Sequence, residues 1–582
     1  MIRNVNVAAL ERMRTRLNRL YGPQEQERLL ERLVALVGRY GIGLEGYSKA
    51  PLWDETTSLL ITYGDAIRHG DEPALRALKR FADDRLRGAI HAIHLLPFFP
   101  YSSDDGFSVI DYRTVDPRLG TWNDVRELGR GFRLMFDLVL NHVSRRSKWF
   151  ADYLAGIAPY RDYFLSVDPD VDLSAVVRPR ALPLLTTVRT LHGEAHLWTT
   201  FSEDQIDLDF SNPDVLFEFL DVLFFYLSNG ASIIRLDAIA YLWKQIGTSC
   251  IHLPQTHEVV RLLRDLLDMV APETVLLTET NVPHEENVSY FGNGDEAHAI
   301  YQFPLPPLLL HALLSGDASA LTRWASGLGD LPPKCTYLNF TASHDGIGVR
   351  PLRGLIPDAE IDRLAEEVKA RGGLVSYKTD SDGSQSPYEL NVTYFDALSD
   401  DPETVTDLHV ERFLCSQTIS MALQGIPALY FHSLVATRND YAGLERTGRA
   451  RSINRRKFSE EELDALLADS SSVPARVLSE LVRRLRLRSA SPSFHPDAPQ
   501  TVVDLGPKLF CIVRERAGRS VVSISNVSAH PLEVRPGQRI PSLDLAKTAT
   551  DLLTGQRFMG DGKVIPLAPY QTVWLHPENG SA

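Results

Sequence analysis

The sequence predicts an α/β fold, a (β/α)8 TIM barrel with inserted subdomains and a C-terminal antiparallel β domain. Three observations support this fold class. Short apolar runs typical of buried strands alternate with helical stretches through most of the chain. Two long connections between these runs indicate insertions, and the end of the chain changes to short alternating strands. At 582 residues the chain exceeds the usual size of one domain, so a large domain with smaller appendages is expected.

The first segment, residues 1–50, is expected to be a helical extension. Between residues 5 and 40 apolar side chains recur at three- or four-residue spacing between charged ones, which predicts two amphipathic helices. Their apolar positions are Leu10, Met13, Leu17 and Leu20, then Leu29, Leu33 and Leu36.

The barrel is predicted over residues 51–495. Seven apolar runs read as its strands and alternate with helical sequence, an order that favours a closed parallel barrel. They are residues 58–62, 91–96, 134–140, 230–234, 275–279, 336–340 and 426–431.

Two insertions are predicted within the barrel. The first, at about 145–205, contains the stretch 177–183, whose prolines discourage regular structure. The second, at about 350–400, contains a helix at 360–371 and a loop at 379–384 rich in Gly, Ser and Asp. Such a loop suits a mobile lid.

Residues 496–582 are expected to form the small C-terminal β domain. Stretches such as 508–513 and 520–524 read as short strands, and no helical period follows them.

Composition excludes several classes of function. The net charge of −14 disfavours binding to nucleic acid or to an anionic membrane surface, because both need a positive surface. The four cysteines are far apart and show no metal-ligand spacing, so neither a disulfide framework nor structural zinc is expected. We expect a cytoplasmic protein without a signal peptide or membrane span, and without calcium or an organic cofactor.

Three acidic residues stand at or just beyond the ends of successive strand-like runs: Asp237, Glu279 and Asp345. In a parallel barrel the reactive groups lie at the C-terminal ends of the strands, so these carboxyls should meet at one mouth. Arg235 lies two residues before Asp237, on the same face of the strand, and should keep Asp237 ionised. A retaining glycoside mechanism needs a carboxylate nucleophile, for which Asp237 is the candidate, and a second carboxyl as acid and base.

Two histidines, His142 and His344, accompany these acids and are candidates for hydrogen bonds to sugar hydroxyls. Each residue alone has a simpler interpretation as a cap or a salt-bridge partner, and Asp137 and Asn141 could mainly organise their loop. The convergence of several such strand ends in one barrel favours the functional interpretation.

On these residues the chain resembles the α-amylase superfamily, glycoside hydrolase family 13. Residues 137–142, 235–238, 279 and 344–345 match its four conserved regions in order, and 205–209 matches a fifth. The resemblance implies Asp237 as nucleophile, Glu279 as acid/base, Asp345 as transition-state stabiliser, Arg235 as partner of the nucleophile, and His142 and His344 as glucose ligands.

Within that family the chain is similar to the sucrose phosphorylase subgroup, through residues 103–107, 247–250, 344–348 and 453–455. The resemblance implies that Asp104 and Arg455 pair to wall off the glucose site. It also implies apolar platforms at Phe107, Phe201 and Tyr241, for which plain core packing is the alternative.

A phosphorylase also needs positive charge for phosphate. The subgroup places a phosphate-binding arginine where Arg180 lies, and a guanidinium can donate to phosphate in bidentate fashion. Tyr388, from the lid, is expected as a second phosphate contact. The alternative is that Arg178 and Arg180 only fix a surface loop.

The acceptor region departs from sucrose phosphorylase. Ser386-Pro387-Tyr388-Glu389 replaces an Asp-Leu-Tyr-Gln order, and Asn281 stands where that subgroup has a fructose-contacting histidine. Through residues 178–185, 247–253 and 386–391 the chain looks more like the glucosylglycerate phosphorylase branch, which implies 2-O-α-glucosylglycerate as donor and phosphate as co-substrate. Sucrose phosphorolysis, or glucoside hydrolysis or transglucosylation, are the alternatives. The sequence leaves open whether Arg178, Arg180, Arg353 or Lys378 binds an acidic aglycone, and whether the chain forms a homodimer.

Overall fold

Eight parallel strands form a closed barrel in the protein, for which we describe a computed structural model covering residues 7–41, 51–179, 182–379, 384–535, 539–544, 548–559 and 564–578. The strands lie around the barrel in chain order, so the predicted fold class is confirmed. They are β1 (Leu59–Thr62), β2 (Ala92–Leu95), β3 (Arg133–Val139), β4 (Ala231–Asp237), β5 (Val275–Thr278), β6 (Ala299–Tyr301), β7 (Thr336–Phe340) and β8 (Ile426–Tyr430).

The sequence predicted seven of these strands and missed β6. This strand has only three residues, too few to show either an apolar run or an alternating pattern. It pairs with β5 through Leu277 and Ala299, and with β7 through Ala299 and Thr336. The barrel therefore closes through a strand that its own local sequence does not predict.

Helices surround the barrel and cover the outer faces of its strands. Apolar side chains are buried on both faces of the strands, as expected for a parallel sheet packed between a core and a layer of helices. The helices are Val7–Tyr21, Gln26–Tyr40, Ala74–Arg85, Trp122–Gly129, Lys148–Leu154, Pro213–Ser228, Pro254–Val270, His284–Val288, Leu305–Ser315, Ser319–Ser326, Asp358–Ala370, Tyr394–Ala397, Asp407–Ala422, Phe431–Leu434, Tyr441–Thr447, Glu460–Ala468, Val473–Ser489 and Pro541–Asp544. None of the helices in the described part of the chain is long and apolar enough to cross a membrane.

The first two helices pack against the outside of the barrel. Met13, Leu17, Leu29 and Leu33 are buried, with at most 1% of each side chain exposed. Ion pairs join the first helix to Pro254–Val270, including a 3.0 Å contact between Arg19 Nη1 and Glu258 Oε1. The N-terminal helices thus extend the hydrophobic core of the barrel.

Both predicted insertions contain antiparallel strands. In the first, Leu185–Thr190 pairs with Gly193–Trp198, and His142–Ser144 pairs with Gln205–Asp207. In the second, the helix Asp358–Ala370 precedes two paired strands, Leu374–Thr379 and Gln385–Asn391, which we call the lid hairpin. A short strand, Ile347–Gly348, adds to the edge of the lid hairpin. Much of the predicted mobile loop, residues 380–383, lies outside the described residues.

The C-terminal part of the chain forms an antiparallel sheet. Six strands follow the spatial order Gln500–Val502, Leu509–Arg516, Arg519–Asn526, Thr572–Glu578, Thr548–Asp551 and Arg557–Met559. Leu532–Val534 and Ile565–Leu567 form a separate two-stranded pair. These strands enclose their own apolar cluster. The domain boundaries predicted at residues 50 and 495 stay predictions.

Candidate active site

A cavity opens at the C-terminal ends of the barrel strands, where a parallel barrel carries its reactive groups. With its open mouth it encloses about 1160 Å³. The cavity is lined by the three predicted carboxyls, Asp237, Glu279 and Asp345, which come from different strand ends. The structure therefore brings together the acids that the sequence singled out.

The end of β4 supplies both Arg235 and Asp237. The Arg235 Nη1 atom donates to Asp237 Oδ1 at 2.7 Å and also to Asp137, which faces it across the register of β3 and β4. Asp137 is fully buried, and its other oxygen lies 2.7 Å from His94 Nε2. Asp137 thus holds the guanidinium in place and does not line the cavity.

Glu279 follows the last residue of β5. Its Oε2 atom accepts a 3.1 Å hydrogen bond from the backbone N–H of Ala238, a residue with a left-handed backbone conformation, φ 51°. Glu279 Oε2 lies 3.9 Å from Arg235 Nη2, so one guanidinium lies close to both carboxyls.

Burial raises the pKa of Asp237 although Arg235 acts in the opposite direction, so Arg235 offsets only part of the cost of ionising it, less than the sequence predicted. Burial also raises the pKa of Glu279. Because Arg235 is 2.7 Å from Asp237 and 3.9 Å from Glu279, a single negative charge on the pair is favoured on Asp237. A proton shared by the pair is therefore favoured on Glu279, as the predicted division between nucleophile and acid requires.

Asp345 occupies a different electrostatic environment. Burial opposes its ionisation, but the arginines, Arg451 foremost and Arg455 with it, outweigh burial and hold the pKa of Asp345 well below its usual range. Arg451 bonds Asp345 directly and also binds Glu389 through two nitrogen atoms, at 3.0 and 2.6 Å. Asp345 therefore stays a carboxylate while Glu279 keeps its proton.

The two predicted histidines are buried and line the cavity. His142 Nε2 donates to the carbonyl of Phe107 at 2.9 Å. His344 stacks on the Phe107 ring with 4.8 Å between the ring centroids, and burial lowers the pKa of His344 to about 3. His344 is therefore neutral at physiological pH, and each ring is fixed before any ligand binds.

The predicted aromatic platforms also line the cavity. Phe201 lies 5.1 Å from the His142 ring and 5.6 Å from the Tyr241 ring, measured between centroids. Phe201 and Tyr241 thus pack against each other beside the cavity, and Phe107 lines it through its stack on His344.

The prediction that Arg455 pairs with Asp104 is wrong, because its partner is the next residue, Asp105. Arg455 Nη1 bonds Asp105, whereas Asp104 lines the cavity. Both aspartates have left-handed backbone conformations, with φ of 51° and 48°, so consecutive side chains turn in different directions. Arg455 lies outside the main cavity, beside a neighbouring one, and touches the site through a 2.7 Å bond from its Nε to the carbonyl of His344.

The residues predicted for the acceptor side divide into three groups. Tyr388 and Asn281 line the cavity. Ser386 does not line it, and its hydroxyl accepts a 3.0 Å hydrogen bond from Arg353 Nη2. Arg180 lies outside the described residues, although its predecessor Pro179 lines the cavity.

Sequence reasoning missed two cavity arginines, Arg350 and Arg451. Arg350 follows the recognised stretch 344–348 by two residues, and Arg451 precedes Arg455 by one helical turn. Their closeness to known motifs is the signal that could have found them.

The described part of the chain contains no group of three or more His, Cys, Asp or Glu side chains arranged to hold a metal ion. The four cysteines are buried and unpaired with one another.

The sequence was compared with known proteins. Residues 88–324 match the family model of the alpha-amylase catalytic domain. The chain is 46% identical over 550 residues to the glucosylglycerate phosphorylase of Allomeiothermus silvanus, covering 94% of this chain and 96% of that protein. It is 33% identical over 470 residues to the sucrose phosphorylase of Agrobacterium vitis, covering 77% and 90%.

Solved structures show the same relationship. The crystal structure of sucrose 6F-phosphate phosphorylase from Thermoanaerobacter thermosaccharolyticum superposes with a TM-score of 0.70 at 27% identity, covering 83% of this chain and 95% of that one. The barrel, the placement of the carboxyls and these similarities agree. The chain therefore belongs to the alpha-amylase family, glycoside hydrolase family 13, within the branch that contains the glucosylglycerate and sucrose phosphorylases.

Proposed function

We propose that the protein is a retaining α-glucoside phosphorylase that transfers glucose from 2-O-α-glucosylglycerate to inorganic phosphate. The products are α-glucose 1-phosphate and glycerate. The observation that carries the proposal is the joint placement of Asp237, Glu279 and Asp345 in one cavity of a chain that is 46% identical to a glucosylglycerate phosphorylase.

In the first step an oxygen of Asp237 attacks the anomeric carbon of the donor. The bond between that carbon and the glycerate oxygen breaks, and Glu279 gives its proton to the leaving oxygen. The geometry of the site supports this assignment, because Arg235 lies 2.7 Å from Asp237 and 3.9 Å from Glu279 and so favours the negative charge on Asp237.

In the second step a phosphate oxygen attacks the anomeric carbon from the side that glycerate left. The bond to Asp237 breaks, and Glu279 takes the proton from the incoming phosphate. Two inversions give net retention, so the product is the α-anomer. The ionised Asp345 stabilises the positive charge that develops on the sugar in both steps.

The glucose half of the site is formed by His142, His344 and the Phe107 ring. Both imidazoles are held by contacts within the protein, which fixes them for hydrogen bonds to sugar hydroxyls. In this proposal Asp104 faces the sugar, while Arg455 supports His344 from behind.

Phosphate is proposed to bind Arg180 and Tyr388. Tyr388 lines the cavity, and the assignment of Arg180 rests on the resemblance of the sequence around it. Arg178 is exposed and donates to the carbonyl of Leu182 at 3.2 Å, which supports a role in fixing its loop. Phosphate is the co-substrate, and the mechanism requires no organic cofactor or metal ion.

Incubation of the purified protein with glucosylglycerate or with sucrose, each with and without phosphate, tests the proposal. Glucose 1-phosphate should form only with phosphate, and faster from glucosylglycerate. Proton NMR of the product should show the α-anomer from the first turnovers. Free glucose released equally fast without phosphate would identify a hydrolase instead, and a preference for sucrose would correct the donor.

A further inference from the structure

Arg350 lies at the mouth of the active-site cavity and has no role in the mechanism derived above. It is the first residue of the turn Arg350–Leu352, which follows the short strand Ile347–Gly348 beside the lid hairpin. The N–H of Val349 donates to the carbonyl of Tyr388 at 3.1 Å, which fixes this turn against the lid. The backbone that carries Arg350 is therefore held in place, while its side chain reaches the cavity.

Among the described residues three arginines line the cavity, and they differ in whether a carboxylate pairs with them. Arg235 is bonded to Asp137 and Asp237. Arg451 is bonded to Asp345 and Glu389. Within the described part of the chain Arg350 makes no ion pair, although it is half-buried. The cavity thus contains a guanidinium whose charge no carboxylate of these residues neutralises, and which is available to pair with a bound anion.

Asn281 provides a second open polar group in the same cavity. Its Oδ1 atom is buried and has no hydrogen-bond partner among the described residues. A Cβ atom on Gly348 would lie 2.8 Å from Asn281 Nδ2, so the glycine leaves room for this amide. Asn281 follows Glu279, the acid that protonates the leaving oxygen, by two residues, and both line the same cavity.

The chemistry of these two groups is complementary to one class of aglycone. A guanidinium donates two parallel hydrogen bonds to a carboxylate. An amide oxygen accepts a hydrogen bond from a hydroxyl. A short hydroxy acid carries both groups within a few bonds of the oxygen that is linked to glucose.

We propose that Arg350 and Asn281 form the aglycone subsite, in which Arg350 binds the carboxylate and Asn281 the free hydroxyl of a short hydroxy acid. The inference rests on the proposed phosphorylase function and specifies how it selects an acidic aglycone. Among the cations that the sequence left open, Arg178, Arg353 and Lys378 do not line the cavity, and Arg180 lies outside the described residues.

The reverse reaction tests this subsite, because it uses one glucosyl donor with different acceptors. Glucose 1-phosphate is supplied with glycerate or with its neutral analogue glycerol, and phosphate release is measured. A second pair, lactate and 1,2-propanediol, separates the carboxylate from the rest of the acceptor. The variants are Arg350→Gln, Arg350→Lys and, as a matched comparison, Arg353→Gln, which removes the same charge three residues away and outside the cavity.

The wild type should prefer each acid over its neutral analogue. Arg350→Gln should raise the KM for glycerate about 10- to 100-fold, the scale of a lost charge-assisted hydrogen-bond pair, and should weaken the use of glycerol less than that of glycerate. Arg350→Lys should restore part of the affinity, and Arg353→Gln should keep the preference for acids. Asn281→Ala should raise the KM for glycerate more than the KM for lactate, because lactate lacks the second hydroxyl.

Several outcomes would overturn the inference. If Arg350→Gln raises the KM for glucose 1-phosphate equally with every acceptor, Arg350 binds phosphate instead. If the loss of acid preference appears in Arg353→Gln, the carboxylate lies elsewhere. If the wild type shows no preference for acids but releases phosphate with neutral acceptors, the phosphorylase function stands and the carboxylate subsite fails. Hydrolysis of α-glucosyl fluoride by every variant confirms that the glucose half is intact.

Discussion

Asp237 and Glu279 carry the same chemical group but lie at different distances from the guanidinium of Arg235. This difference distinguishes their roles. Arg235 is closer to Asp237 than to Glu279, and Asp137 fixes it from the other side. Both carboxyls are buried, so a small difference in electrostatic stabilisation decides which of them keeps the proton. The roles of nucleophile and acid therefore depend on about one ångström of geometry.

Asp237→Asn should abolish turnover. The amide has the shape of the carboxylate but cannot form the glycosyl ester, so kcat should fall by about 10⁴-fold or more, as for other lost nucleophiles. Intact-mass spectrometry during turnover should detect a covalent glucosyl adduct on the wild type and none on the variant. Retained activity with an unchanged α-product would remove Asp237 from the mechanism.

The pH dependence of glucosyl-enzyme formation should report on Glu279. Burial raises the pKa of Glu279, so its proton persists above the usual carboxyl range and the rate should fall as pH rises through that raised pKa. Glu279→Gln should slow the reaction of glucosylglycerate about 10²- to 10⁴-fold and remove the fall in rate at high pH. With α-glucosyl fluoride, whose leaving group needs no proton, the loss should be much smaller. A limb that survives in Glu279→Gln would assign the titration to another group.

Arg180→Ala should weaken the use of phosphate more than the formation of the glucosyl-enzyme. The KM for phosphate should rise about 10- to 100-fold, as expected for the loss of a charge-assisted contact to phosphate. Single-turnover glucosylation, which precedes phosphate binding, should change little. An unchanged KM for phosphate would contradict the assignment.

At the scale of elements, the lid hairpin is fastened to the catalytic end of the barrel through Arg451. This arginine stands on the turn Ala450–Asn454 and binds Glu389 of the lid strand as well as Asp345. Glu389 packs closely over Gly346, where a Cβ would lie 2.5 Å from the Glu389 Cγ atom. The lid strand and the stabilising carboxylate are therefore positioned by one shared cation.

Arg451→Met should affect both the lid and Asp345. Without this charge the pKa of Asp345 should rise, so activity should be lost at a higher pH on the acid side, where Asp345 becomes protonated. At neutral pH kcat should fall about 10- to 100-fold, the scale of a displaced charge-assisted bond. Arg451→Lys should restore the acid limb but not the bidentate contact to Glu389. A pH profile in Arg451→Met identical to that of the wild type would show that Arg451 does not set the charge of Asp345.

At the scale of the whole molecule, buried arginines join the C-terminal sheet to the barrel. Arg514, on the strand Leu509–Arg516, is fully buried and donates to the carbonyls of Ala422, His495 and Ala498 at 2.8 to 3.0 Å. Ala422 is the last residue of a barrel helix. The guanidinium thus satisfies carbonyl groups where the barrel and the sheet meet.

Arg514→Met should destabilise the protein without changing its chemistry. The side chains have similar length, but the substitution leaves buried carbonyls without donors, which should lower the free energy of unfolding by about 3 kcal/mol or more. Thermal and urea denaturation measure this loss. Arg519→Met, at an exposed position on the neighbouring strand, should change stability by less than about 0.5 kcal/mol. Equal stability of the two variants would show that the buried contacts contribute nothing.

The sequence by itself determined the barrel and the order of its catalytic candidates. Short apolar runs and helical periods are local patterns, so they can be recognised without tertiary information. The end of a parallel strand fixes which side of the barrel a residue occupies. For this reason Asp237, Glu279 and Asp345 could be placed together before any coordinates were known. The fold class and the family are confirmed, whereas the roles of individual site residues stay predictions.

The tertiary structure alone decided how loop residues are paired. Two left-handed residues in succession made Asp105, rather than Asp104, the partner of Arg455. The three-residue strand β6 forms because its neighbours offer hydrogen bonds, not because its own sequence requires a strand. The environments of Arg350 and Arg451 depend on side chains that are distant in the sequence. Whether a carboxylate lies near each arginine depends on which loops meet in the folded chain.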